Sequence, residues 1–140
     1  MATDSAHRNV TVRRIANGQF TITNVRGGQI TFGTGETDFT PVELLLAAIG
    51  GCTAIDVDTV TSRRAEPDAF DVLVDAEKVR DEAGNHLTDI EVTFRIAFPP
   101  GTQGDEARAV LPDIVQKSHD RLCTVSRTVE LGTPIATRIE

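Results

Sequence analysis

The chain has 140 residues, the usual size of one domain, which is enough to bury a core without disulfide or metal staples. Its net charge is -7 and it has no Trp or Tyr, so we expect no nucleic-acid partner. No apolar signal segment stands at the N-terminus, and the apolar run 44–55 is short and interrupted by glycines, so we expect a cytoplasmic protein with no membrane partner.

The first part of the chain predicts strands followed by a long helix. NVTVRR, GQFTITN and GGQITFGTG carry β-branched residues between turn residues, and they predict two or three antiparallel strands. A helix is predicted from residue 40 to about residue 62, because TPVE at 40–43 has the form of a capping box. Residues 42–55 are apolar nearly all round, which is typical of a buried helix. The pair Gly50-Gly51 indicates that another backbone or a ligand approaches there.

The second part predicts a strand pair, a second helix and a strand-like end. FDVLVDAEKVRD and LTDIEVTFRIAF alternate apolar and polar residues around the turn DEAGNH. DEARAVLPDIVQKSHDRLC predicts an amphipathic helix with Pro112 in or near its first turns. TVSRTVEL and PIATRIE predict short closing strands. Since strands and helices are segregated, we expect one α+β domain over residues 1–140 rather than a doubly wound parallel sheet.

Cys52 is the first of two cysteines, and it directly follows the glycine pair in the apolar helix. In a cytosolic chain two cysteines are inert buried thiols, metal ligands or a redox pair. A thiol in apolar surroundings has a raised pKa and behaves as a small core residue. Asp56 lies one turn further along the same side of the helix.

Cys123 stands in a more polar segment, SHDRLCTVSRT. Arg121, Arg127 and His119 are cations that would favour its thiolate, although they equally suit a solvated helix end. His119 and Cys123 with Cys52 would also give three zinc ligands. A tight site needs a fourth ligand and no Cys-x-x-Cys spacing supplies one, so we expect no metal and no cofactor.

TPVELLLAAIGGCTAIDV and RLCTVSRTV together resemble the two cysteine segments of the OsmC/Ohr family, the osmotically inducible and organic hydroperoxide resistance proteins. GGCTAIDV is similar to the OsmC-like branch. The resemblance implies an α+β fold of antiparallel sheets with a long buried central helix, assembled as an intertwined homodimer. It also implies a thiol peroxidase with Cys52 as the peroxidatic and Cys123 as the resolving thiol, an organic hydroperoxide as substrate and an external dithiol as reductant.

One departure from the peroxidase pattern concerns the family's helix-starting glutamate. It directly follows the proline in the Ohr-type enzymes, where this chain has Val42 and places the carboxylate at Glu43. Glu43 precedes Cys52 by nine residues, which sets the two on roughly opposite faces of a helix. We therefore expect Glu43 to cap the helix rather than to assist the thiol.

A second departure concerns the family's arginine, which lies between the first two strands. Arg14 is the nearest match, with Arg13 and Arg26 as alternatives. Without an arginine nothing obvious lowers the pKa of Cys52 in an apolar pocket. A second hypothesis therefore stays open: a dimeric module that binds a small hydrophobic ligand or senses redox state without efficient turnover.

Overall fold

The computed structural model describes residues 6–140, which form two compact units that divide between residues 45 and 46. In chain order the elements are β1 (Val10–Ala16), β2 (Gln19–Asn24), β3 (Gln29–Gly33), α1 (Pro41–Thr61), β4 (Ala69–Asp81), β5 (Gly84–Ala97), α2 (Thr102–Lys117) and α3 (Thr124–Leu131). One π-helical turn, Ser118–Leu122, joins α2 to α3. Both sheets are antiparallel, which confirms the expected α+β class.

The N-terminal unit is a three-stranded antiparallel meander in the order β1-β2-β3. Phe20 and Phe32 pair across β2 and β3, and their rings stack with centroids 5.5 Å apart. The loop after β3 closes on Asp38, which accepts hydrogen bonds from the Gln19 side chain at 2.6 Å and from the Gly35 N–H at 2.8 Å. The three predicted strands are therefore confirmed.

Helix α1 begins with the expected capping box. The Thr40 N–H donates to Glu43 Oε1 at 2.8 Å, and the Glu43 N–H donates to Thr40 Oγ1 at 3.1 Å. Pro41 is the first helical residue, where its missing N–H leaves no hydrogen bond unmade. The interpretation of Glu43 as a cap is confirmed.

Within one chain, helix α1 is buried along a single stripe rather than all round. Ile55 on the uncovered side is 69% exposed, because the other elements of the same chain cover one face only. The helix has 21 residues and a mean hydropathy of 1.5, so by length and composition it could cross a membrane, a criterion that core helices of soluble proteins also meet. The buried positions recur about every four residues: Ile49, Gly50, Thr53, Val57 and Thr61.

The glycine pair in α1 is explained at one of its two positions. A Cβ on Gly50 would lie 2.7 Å from Cγ2 of Val74 on β4, so the absence of a side chain lets the strand approach. At Gly51 a Cβ would meet nothing within 4 Å. The glycine pair therefore accommodates a side chain of β4 at Gly50, and not the backbone or ligand that the sequence predicted.

The C-terminal unit contains the long antiparallel hairpin β4-β5, whose register is interrupted between Asp75 and Glu77. A small core of Ala65, Phe98 and Ala107 joins the end of this hairpin to α2. Helix α2 begins three residues before the predicted start, so Pro112 lies in its second half and not in its first turns.

The end of the chain differs from the sequence prediction. TVSRTVEL is helix α3 and not a strand, and residues 132–140 contain no strand. The Val and Thr residues of TVSRTVEL favour strands by propensity. However, Val125 and Val129 have helical spacing, and Cys123 caps the first turn of the helix. Gly132, with φ 65°, ends the helix in the left-handed conformation.

Candidate active site

The two cysteines come together where the middle of α1 packs against the π-helical turn and the first turn of α3, all within the C-terminal unit. Both cysteines are free thiols, with Cys52 partly buried and Cys123 fully buried. The two thiols lie close enough for each to shift the pKa of the other. Two residues that lie far apart in the sequence therefore form one dithiol pair.

Cys123 is the N-cap of α3, and its position follows from the turn before it. Its N–H donates to the Ser118 carbonyl at 2.9 Å, which closes the π-helical turn. Its Sγ accepts the Ser126 N–H at 3.4 Å and lies 3.2 Å from Ser126 Oγ. A sulfur thus takes the place that a serine or aspartate oxygen occupies in most helix caps.

A buried polar chain ties α1 to the same turn. Thr53 Oγ1 and Ser118 Oγ lie 2.7 Å apart, and the Ser118 hydroxyl donates to Asp56 Oδ2 at 2.8 Å. Ser118 is fully buried and Thr53 nearly so. The buried hydroxyls of Thr53 and Ser118 both have hydrogen-bond partners. Asp56, the last residue of this hydrogen-bonded series, places its carboxylate near the thiols.

The two thiols have opposite electrostatic environments. Burial raises the pKa of Cys52; the Val125 N–H opposes this, whereas the Cys123 sulfur and the Asp56 charge raise the pKa further. Burial also raises the pKa of Cys123, as does the Asp56 charge, but hydrogen bonds with the Ser126 side chain and the Ser126 N–H, together with the Cys52 thiol, outweigh them. The Cys123 pKa is therefore lowered from its ordinary value.

The cations near Cys123 in the sequence do not account for this shift. Hydrogen bonds from Ser126 and Cys52 are the largest influences that lower the Cys123 pKa. His119 instead faces two carboxylates, with Nδ1 2.9 Å from Asp120 and Nε2 3.4 Å from Glu130. His119, Arg121 and Arg127 are not among the main causes of the shift, so the alternative of a solvated, charged helix end accounts for them as well.

Among residues 6–140, no group of three or more His, Cys, Asp and Glu side chains is placed to hold a metal ion. The set of His119, Cys52 and Cys123 that the sequence allowed is therefore not assembled. His119 lies on the rim of a cavity, paired with acidic residues.

The predicted arginines lie in the N-terminal unit. Arg13 and Arg14 are on β1, where Arg14 pairs with Phe20 of β2, and Arg26 follows β2. All three are exposed. The role of Arg14 beside Cys52 stays a prediction.

A cavity of about 490 Å³ is lined by residues that neighbour the two cysteines in the chain, though not by the cysteines themselves. Thr53 and Ser126, which contact the site residues, form part of its wall, and Glu91, Gln116, His119 and Glu130 are its polar residues. A space of this size with a mainly hydrocarbon wall suits a small apolar molecule that carries one polar end. Its apolar lining includes Ile49, Ile90, Val92, Phe94, Val115 and Val129.

Sequence reasoning missed three residues of the site: Thr53, Ser118 and Ser126. Ser126 carried a signal, since Cys-x-x-Ser at a helix start places a hydroxyl beside the sulfur. Ser118 carried none, because its partners come from α1 and only the tertiary fold brings them near.

Comparison with known proteins gives one family. The sequence model of the family described as OsmC-like protein matches residues 33–138. An uncharacterized protein of Mycobacterium tuberculosis is 26% identical over 126 residues, which cover 89% of this chain and 90% of that protein.

Solved structures share the fold. An OsmC-like protein of unknown function from Vibrio cholerae superposes with a TM-score of 0.70 at 14% identity, covering 90% of this chain and 95% of that one. The organic hydroperoxide resistance protein OhrB of Bacillus subtilis superposes with a TM-score of 0.51 at 19% identity, covering 87% and 90% of the two chains.

Proposed function

Because this chain belongs to the OsmC-like protein family, we propose that it is a thiol-dependent peroxidase that reduces organic hydroperoxides through Cys52 and Cys123. One observation carries the proposal: two free thiols from α1 and from the start of α3 interact with each other, and Thr53 and Ser126, which are close to them in the chain, line an apolar cavity. The name of the Bacillus subtilis protein, organic hydroperoxide resistance protein, supports the substrate class.

The proposed cycle needs nothing but the two sulfurs, a peroxide and a reductant. A thiolate attacks the peroxide oxygen and becomes a sulfenic acid while an alcohol leaves. The second thiol displaces hydroxide from that sulfenic acid, which forms a disulfide and water. An external dithiol then reduces the disulfide and completes the turnover.

The cavity supports an organic peroxide over hydrogen peroxide. Its lining is mainly apolar, so an alkyl or aryl group gains free energy by leaving water there. Its polar residues include Glu91 and Glu130, whose negative charges disfavour a peroxide with an anionic tail. The proposed substrate is therefore an uncharged organic hydroperoxide of small to medium size.

We propose a homodimer as the working form, in the cytoplasm and without a membrane or nucleic-acid partner. The support is the uncovered side of α1, where Ile55 is 69% exposed in the single chain and Leu45, at the edge of that side, is 39% exposed. Apolar side chains on a long helix are the kind of surface that an obligate interface covers. Light scattering at micromolar concentration should give the mass of two chains, and a well-folded monomer would refute this assembly.

The experiment that tests the activity treats the native protein with one equivalent of tert-butyl hydroperoxide. Mass spectrometry should then find an intrachain Cys52–Cys123 disulfide, and an excess of dithiothreitol should restore both thiols and sustain peroxide consumption. The Cys52→Ser, Cys123→Ser double variant is the control, since it should consume no peroxide.

A second function is a module that binds a small hydrophobic ligand or senses redox state. The raised pKa of Cys52 favours it, because a protonated thiol reacts slowly with peroxides. If both cysteines remain free thiols in folded protein under excess hydroperoxide, the peroxidase proposal fails and this second function takes its place.

A further inference from the structure

We propose that Ser118 is the positioning residue of the dithiol pair: its carbonyl and its hydroxyl hold the segments beside the two cysteines together. This inference rests on the proposed function, since it concerns the step in which the two sulfurs join. It follows from the contacts of one fully buried side chain and of the backbone group next to it.

The carbonyl of Ser118 holds Cys123. It accepts the Cys123 N–H at 2.9 Å, and this hydrogen bond closes the π-helical turn and sets the residue at which α3 begins. Cys123 is the N-cap of that helix, so its sulfur is placed by the turn on one side and by the helix on the other. A turn that opened at Ser118 would move the Cα atom of Cys123, and the sulfur with it.

The hydroxyl of Ser118 holds the segment of α1 that carries Cys52. Its Oγ lies 2.7 Å from Oγ1 of Thr53, the residue that follows Cys52, and it donates to Asp56 Oδ2 at 2.8 Å. A hydroxyl has one hydrogen, and Ser118 gives it to Asp56. The Thr53 hydroxyl is therefore the donor to Ser118, and the direction of both hydrogen bonds is fixed.

Burial makes these links specific. Ser118 is fully buried and Thr53 is 7% exposed, so water does not compete for their hydrogen bonds, and an unmade bond there is costly. Thr53 and Asp56 share Ser118 as a partner, so removal of one hydroxyl breaks both links from the turn to α1. The two thiols, which shift the pKa of one another, are thus held at short range by a residue that contacts the backbone beside each.

The step that depends on this position is the formation of the disulfide. Peroxide first oxidises one sulfur to a sulfenic acid. The thiolate of the other cysteine then attacks that sulfur; the S–S bond forms, the S–O bond breaks, and the hydroxide that leaves takes a solvent proton as water. A misplacement of about 1 Å between reacting groups costs up to about a hundredfold in rate. Ser118 should therefore act on the second step and not on the first.

The first experiment equilibrates the native protein and Ser118→Ala with mixtures of reduced and oxidised glutathione, and mass spectrometry counts the free thiols. Two electrons pass from the two cysteines to oxidised glutathione, which becomes two reduced molecules. This equilibrium measures how readily the two sulfurs join, and it requires no peroxidase activity. We expect the equilibrium constant for the Cys52–Cys123 disulfide to fall at least about tenfold in Ser118→Ala.

The second experiment gives both proteins one equivalent of tert-butyl hydroperoxide and quenches them with acid at timed intervals. Peroxide loss follows the first step, and the mass of the disulfide form follows the second. In Ser118→Ala we expect peroxide loss within about twofold of the native rate and disulfide formation at least about tenfold slower. Dimedone, a trap for sulfenic acids, should label the variant more fully than the native protein.

Control variants separate position from stability. Phe98→Leu reduces the small core between the hairpin and α2, so it should lower the stability and leave the glutathione equilibrium native. Thr53→Val removes the link beside Cys52 and should act as Ser118→Ala does, whereas Thr53→Ser keeps the hydroxyl and should keep the native equilibrium. The two Thr53 variants decide the question if Ser118→Ala does not fold.

The outcomes separate this inference from the function on which it rests. If the native protein keeps both thiols under hydroperoxide, the peroxidase proposal fails, and the glutathione equilibrium alone decides the role of Ser118. A native equilibrium and a native rate of disulfide formation in a less stable Ser118→Ala would overturn the inference, because the hydroxyl would then only stabilise the fold. An equal shift in Phe98→Leu would overturn it as well, because loss of stability alone would explain the result.

Discussion

Helices α1 and α3 begin with the same hydrogen bond, in which a cap side chain accepts the N–H group three residues later, but the accepting atom is an oxygen in α1 and a sulfur in α3. At the start of α1, Thr40 Oγ1 accepts the N–H of Glu43 at 3.1 Å; at the start of α3, Cys123 Sγ accepts the N–H of Ser126 at 3.4 Å. The first cap is exposed, and its partners all lie within four residues of one another. The second is fully buried and is shared with residues of α1.

The difference shows how one backbone arrangement serves two purposes. An exposed oxygen at a helix start satisfies an N–H group and stabilises the helix by about 1 kcal/mol. A buried sulfur in that place satisfies the same N–H group, and the N–H group in turn favours the thiolate. The cap of α1 thus stabilises a helix, whereas the cap of α3 is also one of the two thiols proposed to reduce the peroxide.

Replacement of Cys123 should have the largest effect, and it separates the cap from the chemistry. Both Cys123→Ser and Cys123→Ala should lose all hydroperoxide turnover, because neither can form a disulfide. Serine still accepts the Ser126 N–H, so Cys123→Ser should fold with near-native stability, while Cys123→Ala should lose about 1 kcal/mol. Turnover assays and urea denaturation measure the two effects. Equal stability of the two variants would show that the sulfur does not act as a cap.

Removal of the Ser118 hydroxyl should have the next largest effect, since the start of α3 depends on contacts with α1. Ser118→Ala leaves the buried Thr53 hydroxyl without its partner and Asp56 without a donor, which should cost about 2 kcal/mol. It should also slow disulfide formation by loosening the turn before Cys123.

Thr59→Ala is the matched control for Ser118→Ala. Its hydroxyl donates to the Ile55 carbonyl at 2.8 Å on the exposed side of α1, so its loss should change the stability by less than about 0.5 kcal/mol. Chemical denaturation compares the two variants, and equal losses would mean that the buried chain adds nothing to the link between α1 and the turn.

The two caps also show where sequence reasoning succeeds and where it stops. TPVE predicted the start of α1, because all members of that capping box are neighbours in the chain. The sequence does not predict the start of α3, since the Val and Thr residues of TVSRTVEL favour strands and cysteine is an uncommon cap. The pairing of strands and the order of elements up to α2 follow from alternation and turn residues. The environment of each thiol did not, because it is set by contacts between α1, the π-helical turn and α3.

Replacement of the α1 cap should have a moderate effect on stability and none on the thiols. Thr40→Ala should lower the free energy of unfolding by about 1 kcal/mol, and Glu43→Gln by less, since glutamine still accepts the Thr40 N–H. Both variants should keep the native rate of hydroperoxide reduction when assayed below their melting temperatures. A large loss of activity in Glu43→Gln with unchanged stability would show that Glu43 is catalytic and that its capping role is incidental.

Replacement of His119 should have the smallest effect, and it tests whether the reactivity of Cys123 is set by the local cap or by nearby cations. The hydrogen bond to Asp120, followed by the Glu130 charge, raises the pKa of His119 above its ordinary value. A raised pKa in the folded state means that the stabilising contribution is complete below the unfolded-state pKa and is lost as pH rises through the folded-state pKa. His119→Gln should therefore lower the melting temperature slightly at about pH 5, and this loss should shrink as the pH is raised.

The size of that effect is limited because the His119 side chain is 59% exposed, and solvent screening keeps such pairs below about 0.5 kcal/mol. His86→Gln is the control, since His86 lies 3.5 Å from Asp81 in the β4-β5 hairpin. This variant should retain the pH dependence that His119 contributes. The rate at which tert-butyl hydroperoxide converts the two thiols to a disulfide should be the same with and without His119→Gln. A marked slowing in His119→Gln would show that His119 assists the dithiol pair. The difference between the caps of α1 and α3 would then depend on the π-helical turn as well as on Cys123 and Ser126.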